Sequence, residues 1–230
     1  HQVLAILTSF YKSRTKPALP TLVIAPTSVV SAWVQKLEKY PTGLKWTVFH
    51  GKGRVLPDKD VNLVLTTYGI LQREAALRDR EWHSVILDEA QAIKNAGTRQ
   101  ARAARQLRAH ARLVLTGTPV ENRLGDLWSL FDFLCPGLLG SVTAFRSLAR
   151  KMTKEPSRGY APLRSLVRPY ILRRLKTDDS VDLAFIQGGI GGPDDLAGIV
   201  VRDPSSQCPI AERAPHAPAD GALTLGLAEI

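Results

Sequence analysis

The chain has 230 residues, of which 44% are hydrophobic, and its 31 basic and 21 acidic residues give a net charge of +10. This length suits one domain, or one domain with an extension. Its apolar runs fall far short of the roughly 18 residues that cross a bilayer, and no secretory signal pattern opens it. Cys135 and Cys208 show no metal-ligand or disulfide spacing. The composition therefore argues against a membrane-spanning, secreted or zinc-binding protein and favours a reducing compartment.

The charge is unevenly distributed along the chain. Residues 1–177 carry 29 basic and 12 acidic residues, a net +17, whereas residues 178–230 carry 2 and 9, a net −7. The second part also holds 12 of the 32 Gly and Pro residues, with Phe185 as its single aromatic. The basic part indicates either a polyanionic partner or simply a soluble surface. The acidic tail has too few large apolar groups to offset the entropy of ordering.

Short β-branched runs alternate with helical patterns, which is typical of a parallel sheet with crossover helices. Strands are predicted at residues 21–25, 46–49, 61–65, 84–87 and 113–115. Apolar residues also recur at helical spacing, first at Val30, Trp33, Leu37 and Tyr40 and later at Ala101, Ala104, Leu107 and Ala111. We therefore predict an α/β fold over residues 1–135, with a parallel sheet covered by helices on both faces.

The rest of the chain is predicted to differ from this sheet. Residues 136–177 form helical pieces, which indicates an appendage. Residues 178–230 show no periodicity, so no structure is assigned there and this acidic Gly/Pro-rich tail is expected to be disordered. A basic pattern lies just before the last predicted strand. Arginines recur there every three or four residues, so a helix would carry them on one face: Arg99, Arg102, Arg105, Arg108 and Arg112. This face is either simply solvated or attracts nucleic acid.

The sharpest local signal is an apolar strand that ends in two carboxylates, Asp88 and Glu89, followed by Gln91. In a parallel sheet such residues project into the crevice beyond the carboxyl ends of the strands. Phosphoryl transfer to water needs a hard oxygen ligand for Mg²⁺ and a carboxylate that orients or deprotonates the water. Asp88 suits the first task and Glu89 the second. The alternative is a helix cap followed by an acid that favours the helix dipole.

Two more strand ends carry small polar residues. The predicted strand 113–115 ends in Thr116, Gly117 and Thr118, and the two threonine hydroxyls can hydrogen-bond the carboxylates of the acidic motif. The first strand ends in a turn with Thr27 and Ser28, where backbone N–H groups can meet a nucleic-acid phosphate. Plain turns are the alternative for both. The tryptophans on apolar helical faces, Trp33 and Trp128, are interpreted as core residues rather than as base-stacking platforms.

In order along the chain, these motifs resemble the ATPase core of SWI/SNF-type chromatin-remodelling proteins, a double-stranded-DNA translocase branch of helicase superfamily 2. The resemblance covers roughly residues 1–178. It is carried by residues 20–28 with Trp33, 64–68, 88–91 with 93–95, 115–122, 127–134 and 170–174. It implies that residues 1–135 form a first RecA-like lobe and that residues 136–177 lead to a second lobe.

The resemblance also implies roles for single residues and a set of ligands. ATP and Mg²⁺ are the implied cofactors and double-stranded DNA the implied partner, together with a DNA-bound protein target that stays unidentified. Asp88 would bind Mg²⁺ through water, Glu89 would activate water, and Gln91 belongs to the same catalytic motif. Thr116, Gly117 and Thr118 would couple the state of the nucleotide to a second site. The residues expected at the DNA are Thr27, Ser28, Thr66, Tyr68, Arg173 and Arg174.

One departure from the family pattern decides what we expect of the 230 residues alone. The phosphate-binding pattern GxxxxGK[ST] is absent, because the only Gly-Lys pair, Gly51-Lys52, has Trp46 in place of the first glycine and Gly53 after the lysine. No second RecA-like lobe is recognised either. We therefore expect a fragment of an ATP-dependent DNA translocase that is catalytically inactive by itself.

Other functions stay open at this point. The chain could be a non-enzymatic nucleic-acid-binding remnant, or another superfamily 2 enzyme such as an RNA helicase or a restriction-type translocase. The expected location is the bacterial cytoplasm at the nucleoid, or the nucleus if the source is a eukaryote.

Overall fold

The computed structural model describes residues 2–13, 19–57, 60–117, 124–154, 160–173 and 197–201. Within these ranges one sheet contains seven strands, in the order β2-β3-β1-β4-β5-β7-β6. The strands are β1 Thr21–Ala25, β2 Trp46–Val48, β3 Leu63–Thr67, β4 Glu81–Leu87, β5 Arg108–Leu115, β6 Ile171–Arg173 and β7 Ala197–Val201. Strands β1 to β5 are parallel. The parallel sheet with covering helices that we predicted is therefore confirmed.

Helices cover both faces of the sheet, and the last two of them pack outside it. They are α1 Gln2–Lys12, α2 Thr27–Lys39, α3 Tyr68–Arg73, α4 Ala75–Asp79, α5 Arg99–Arg105, α6 Leu124–Leu134, α7 Val142–Lys154 and α8 Ala161–Val167. Short 3₁₀ helices span Ala90–Ile93 and Arg168–Tyr170. None of the helices in the described ranges has both the length and the apolar character needed to cross a membrane.

Two hydrophobic clusters sandwich the sheet, because successive side chains of a strand point to opposite faces. On one face, Val23 and Ala25 of β1 pack with α1 and α2. On the other face, Leu22 and Ile24 of the same strand pack with α3, α4, α5 and α6. The central strands β1 and β3 are buried along their whole length. This explains why they appear in the sequence as continuous apolar runs rather than as alternating ones.

A third cluster forms the helical appendage that we predicted. It joins the second side of α6, through Trp128 and Phe131, to Phe145 and Met152 of α7 and to α8. Helix α6 is apolar on nearly all sides because it packs against the sheet on one side and against this appendage on the other. The boundary that we placed at residue 135 stays a prediction.

The structure corrects two expectations from the sequence. The five arginines do not share one helix: α5 ends at Arg105, and Arg108 and Arg112 belong to β5. Buried Leu107 and Val114 hold this segment against the core, and strand pairing with β4 prevails over the helical spacing. Arg112 is partly buried and donates to the backbone oxygens of Phe133 and Leu107 at 2.6 and 2.9 Å.

The second correction concerns the part beyond Asp178, where we assigned no structure. Residues Ala197–Val201 form β7, which pairs antiparallel with β5 and with β6. The β-branched residues Ile199, Val200 and Val201 suit a strand. The backbone groups along the edge of β5 also need a partner, and no local sequence pattern reports that need.

Candidate functional site

The carboxyl ends of the parallel strands gather the predicted site residues at one edge of the sheet. Strand β1 runs into Thr27 after Pro26, and β3 runs into Tyr68. Asp88 follows β4, and Thr116 follows β5. In the register of the central strands, Ile24 of β1 is level with Thr66 of β3 and with Leu87 of β4. This edge is where ligands bind in parallel α/β sheets.

Asp88 is held at both its side chain and its backbone. Trp33 of α2 donates its indole N–H to carboxylate oxygen Oδ2 at 2.7 Å, and the N–H of Glu89 donates to Oδ1 at 3.0 Å. The hydroxyl of Tyr68 donates to the carbonyl oxygen of Asp88 at 2.9 Å. The Asp88 N–H donates to the carbonyl oxygen of Ile24 at 2.8 Å. Three elements of the fold therefore determine where this carboxylate lies.

The surroundings of Asp88 shift the acidity of two groups. Burial raises the pKa of the Asp88 carboxyl above its usual range, and the hydrogen bonds from Trp33 and from the Glu89 backbone oppose this rise. Burial likewise raises the pKa of the Tyr68 phenol, and the negative charges of Asp88 and Glu89 raise it further. Tyr68 therefore remains a neutral donor at physiological pH.

Glu89 has an unusual backbone conformation. Its φ of 50° and ψ of 55° place it in the left-handed region, which a residue with a side chain adopts at a cost of about 1–2 kcal/mol. The amide nitrogen Nε2 of Gln91 donates to Oε2 of Glu89 at 2.6 Å. Such strain is found where a site needs a specific side-chain direction. The predicted catalytic residues Glu89 and Gln91 thus contact each other beside Asp88.

The acidic motif is anchored from behind by α6. The 3₁₀ helix after Glu89 buries Ala90 and Ile93 in the core. Ser129 of α6, only 1% exposed, donates its hydroxyl to the carbonyl oxygen of Ile93 at 2.5 Å. This contact joins α6 to the segment that follows Glu89, although the two are distant in the sequence.

The residues at this edge fit Mg²⁺ better than they fit a polyphosphate. Mg²⁺ is held in proteins by one or two carboxylates together with waters and substrate phosphates, and Asp88 and Glu89 supply such carboxylates. Among the described residues, no group of three or more metal-ligating side chains forms a complete metal cage. The 230 residues also contain no GxxxxGK[ST] sequence to cradle phosphates.

The predicted coupling residues lie on the neighbouring strand. Thr116 follows β5 and is only 3% exposed, whereas Gly117 is exposed. Leu87, the residue before Asp88, is paired with Val114, two residues before Thr116. The fold thus places Thr116 on the strand next to the one that carries Asp88, and Thr118 lies outside the described residues.

The predicted nucleic-acid residues fall into two groups. Thr27 and Ser28 are exposed in the first turn of α2. Thr66 and Tyr68 are interior, at 0% and 4% exposure, and Thr66 donates to the carbonyl oxygen of Phe49 at 2.9 Å. Their hydroxyls are engaged with the protein, which suits support of the surface better than direct contact. Arg173 is the last residue of β6, and Arg174 lies outside the described residues.

A surface groove adjoins this edge. It has a volume of about 340 Å³ and lies between α2 and the ends of β2 and β3, lined by Thr27, Val30, Ser31, Val34, Gln35, Val48, His50 and Thr67. Sequence reasoning found one lining residue, Thr27, and missed the others. It also interpreted Trp33 as a core residue only. A buried indole N–H needs an acceptor, and that requirement was the available signal for the contact with Asp88.

A parallel sheet covered on both faces, with an Asp-Glu pair and a threonine at adjacent strand ends, defines the fold class: a RecA-like lobe. Residues 1–185 match the family model of the SNF2-related domain. The chain therefore belongs to the SNF2-related domain family, which confirms the resemblance seen in its motifs.

Relatives and a solved structure agree with this membership. The chain is 38% identical over 182 residues to "Putative ATP-dependent helicase/translocase YwqA" of Bacillus subtilis, covering 75% of this chain and 20% of that protein. It is 36% identical over 185 residues to the TATA-binding protein-associated factor MOT1 of Saccharomyces cerevisiae, covering 72% and 10%. The Sulfolobus solfataricus SWI2/SNF2 ATPase core in complex with dsDNA aligns with a TM-score of 0.72 at 38% identity, covering 78% of this chain and 38% of that one. The chain thus spans a fifth or less of the Bacillus subtilis and Saccharomyces cerevisiae relatives.

Proposed function

We propose that this chain supplies most of the first lobe of an ATP-dependent translocase that moves on double-stranded DNA and remodels protein complexes bound to it. The observation that carries the proposal is the way Asp88 is held by Trp33, Glu89 and Tyr68 at the carboxyl end of β4. Fixing a carboxylate this tightly costs conformational entropy. Such a cost is expected where the carboxylate has to hold a metal ion at a precise position.

The chemistry follows from the two carboxylates. Mg²⁺, when bound with ATP, neutralises charge that develops on the phosphates during transfer. Asp88 would hold this metal ion. Glu89 orients the attacking water and accepts its proton, and Gln91 holds the Glu89 carboxylate in position. Thr116, Gly117 and Thr118 communicate the state of the nucleotide to the DNA-binding surface.

The DNA surface is proposed at the exposed start of α2. Thr27 and Ser28 stand there beside the groove, and Pro26 before them provides no side-chain cap for the helix. Hydroxyls and first-turn N–H groups bind phosphates without reading bases. The +17 net charge of residues 1–177 supplies the attraction. Thr66 and Tyr68 support this surface from inside, and Arg173 and Arg174 are proposed as further contacts with DNA.

We further propose that these 230 residues do not hydrolyse ATP by themselves. Asp88 and Glu89 are two negative charges beside a polyphosphate site, and the sequence contains no GxxxxGK[ST] loop to offset their repulsion. The activity belongs to a longer protein that adds such a loop and a second lobe. The small share of each relative that this chain spans supports this view.

The test compares ATP hydrolysis by the 230-residue chain and by the extended protein, by which we mean the longer protein with a phosphate-binding loop and a second lobe. Each is measured with duplex DNA, single-stranded DNA or structured RNA. We expect phosphate release only from the extended protein, stimulated by duplex DNA. Glu89→Gln should keep binding of ATP and Mg²⁺ but lose turnover, because an amide cannot accept the proton. Asp88→Asn should weaken Mg²⁺ binding. Glu81→Gln makes the same chemical change at the opposite end of β4 and should leave turnover unchanged.

Two results would refute this assignment. Full turnover in Glu89→Gln would remove Glu89 from the mechanism. Stimulation by RNA alone would indicate an RNA helicase instead. A second function, a non-enzymatic nucleic-acid-binding remnant, is favoured by the basic charge alone. It predicts DNA binding without ATP hydrolysis even in the extended protein.

A further inference from the structure

Helix α2 connects the groove to the acidic motif. Val30, Ser31 and Val34 of this helix line the groove. Trp33, on the same two turns, is 7% exposed and packs in the cluster between α2 and the sheet. Its indole N–H reaches Oδ2 of Asp88 at 2.7 Å. A single rigid element therefore has one side at the groove and another in contact with the carboxylate.

The junction of β3 and α3 makes a second connection. Thr67 lines the groove, and its hydroxyl caps α3 by accepting from the N–H of Ile70 at 3.4 Å. The next residue, Tyr68, donates to the carbonyl oxygen of Asp88 at 2.9 Å. The two connections thus reach opposite ends of Asp88, the carboxylate and the backbone carbonyl.

The end of β3, beside the groove, is held too firmly to move independently of its neighbours. Thr66 and Thr67 are 0% and 6% exposed. The Thr66 hydroxyl and the N–H of Phe49 bond β3 to the segment after β2 at 2.9 and 2.8 Å. We therefore expect a ligand that pushes on the lining of the groove to move α2 and the start of α3 as units, since packed interiors move as discrete pieces.

We propose that Trp33 and Tyr68 are positioning residues that transmit occupancy of the groove by duplex DNA to the Asp88 carboxylate. This inference rests on the proposed function, because it takes DNA as the occupant of the groove and Asp88 as the metal ligand. It adds the physical route by which the two sites communicate. A packing role alone would require the Trp33 ring but not its N–H, and the Tyr68 ring but not its hydroxyl.

The first test uses the full 230-residue chain labelled with ¹⁵N and needs no catalysis. The four tryptophans of the sequence give separate indole N–H signals in a two-dimensional NMR spectrum. Trp33→Phe identifies the Trp33 signal, and Asp88→Asn identifies it independently if Trp33→Phe does not fold. The matched control is Trp82, a fully buried tryptophan whose N–H donates to the carbonyl oxygen of Leu77 at 2.9 Å.

We expect the Trp33 signal to move during titration with a short DNA duplex while the Trp82 signal stays in place. Binding itself is measured in parallel by fluorescence anisotropy of the labelled duplex. If the duplex binds and the Trp33 signal does not move, the inference is overturned and the proposed DNA binding stands. If no duplex binds, the DNA part of the proposed function fails, and the inference fails with it.

The second test uses the extended protein and measures how ATP hydrolysis depends on Mg²⁺. Trp33→Phe should raise the Mg²⁺ concentration for half-maximal activity about tenfold, as for loss of a partner that orients a metal ligand, and Tyr68→Phe should raise it less. Affinity for DNA, measured without nucleotide, should stay the same in Trp33→Phe. Trp82→Phe should not change the Mg²⁺ requirement. An unchanged requirement in both Trp33→Phe and Tyr68→Phe would contradict the inference.

Discussion

Trp33 and Asp88 are 55 positions apart in the sequence, and the indole nitrogen of Trp33 donates a 2.7 Å hydrogen bond to the Asp88 carboxylate. This contact joins α2 to the end of β4 across the sheet edge. It also gives the tryptophan two roles, since the ring packs in the core while its N–H satisfies a half-buried charge. A bond to a charged group is stronger than one between neutral groups.

The strength of this contact can be measured by a double-mutant cycle. Trp33→Phe keeps an aromatic ring and removes the donor, and Asp88→Asn removes the charge. We expect Trp33→Phe to lower the free energy of unfolding by about 1.5–3 kcal/mol, the range for hydrogen bonds to charged groups. Urea denaturation of the two single variants and the double variant gives the coupling energy. Additive losses would show that the two side chains do not interact energetically.

The left-handed backbone of Glu89 predicts an inverted ranking of two substitutions. Both Glu89→Gly and Glu89→Ala remove the carboxylate and its contact with Gln91. Only glycine adopts the observed φ of 50° without steric cost. We therefore expect the glycine variant to be more stable than the alanine variant by about 1 kcal/mol, measured by urea denaturation. A more stable alanine variant would mean that this backbone conformation is not maintained.

Ser129 should contribute to stability out of proportion to its size. Its hydroxyl is buried and donates to the carbonyl oxygen of Ile93, so Ser129→Ala leaves a buried acceptor without this donor. The expected loss is about 1–3 kcal/mol, read from thermal or chemical unfolding. Ser147→Ala, at an exposed position of α7, is the control and should change stability by less than about 0.5 kcal/mol. Equal effects at the two serines would refute the anchoring role of Ser129.

DNA binding should depend strongly on salt and on the start of α2. We expect Thr27→Glu to weaken binding of a duplex and to reduce the slope of log affinity against log salt by about one phosphate contact. The added carboxylate lies at a helix N-terminus, where it favours the helix, so loss of folding is not the cause. Ser165→Glu adds the same charge at an exposed position of α8 and should have a smaller effect. Equal weakening by both variants would locate the DNA elsewhere.

Much of the fold could be predicted from the sequence because its signals are local. The β-branched runs predict five parallel strands, and β1 is predicted with its observed bounds, Thr21–Ala25. Chain direction and the βαβ alternation then put the residues after each strand at one edge. The same logic predicts from the sequence alone that Asp88, Glu89 and Thr116 lie at one edge of the sheet, as the structure has them. The position of a residue after a strand is a property of the chain itself.

Contacts between distant segments were decided only by the tertiary structure. Helical spacing assigned Trp33 to a buried face, but only the packing of α2 beside the end of β4 determines that its N–H meets Asp88. The same holds for Tyr68, whose hydroxyl points inward to a backbone oxygen, and for Arg112, which strand pairing removes from the predicted helix. Local periodicity reports which side of an element is apolar. Which donor meets which acceptor depends on how whole elements pack, and that information is spread over the entire chain.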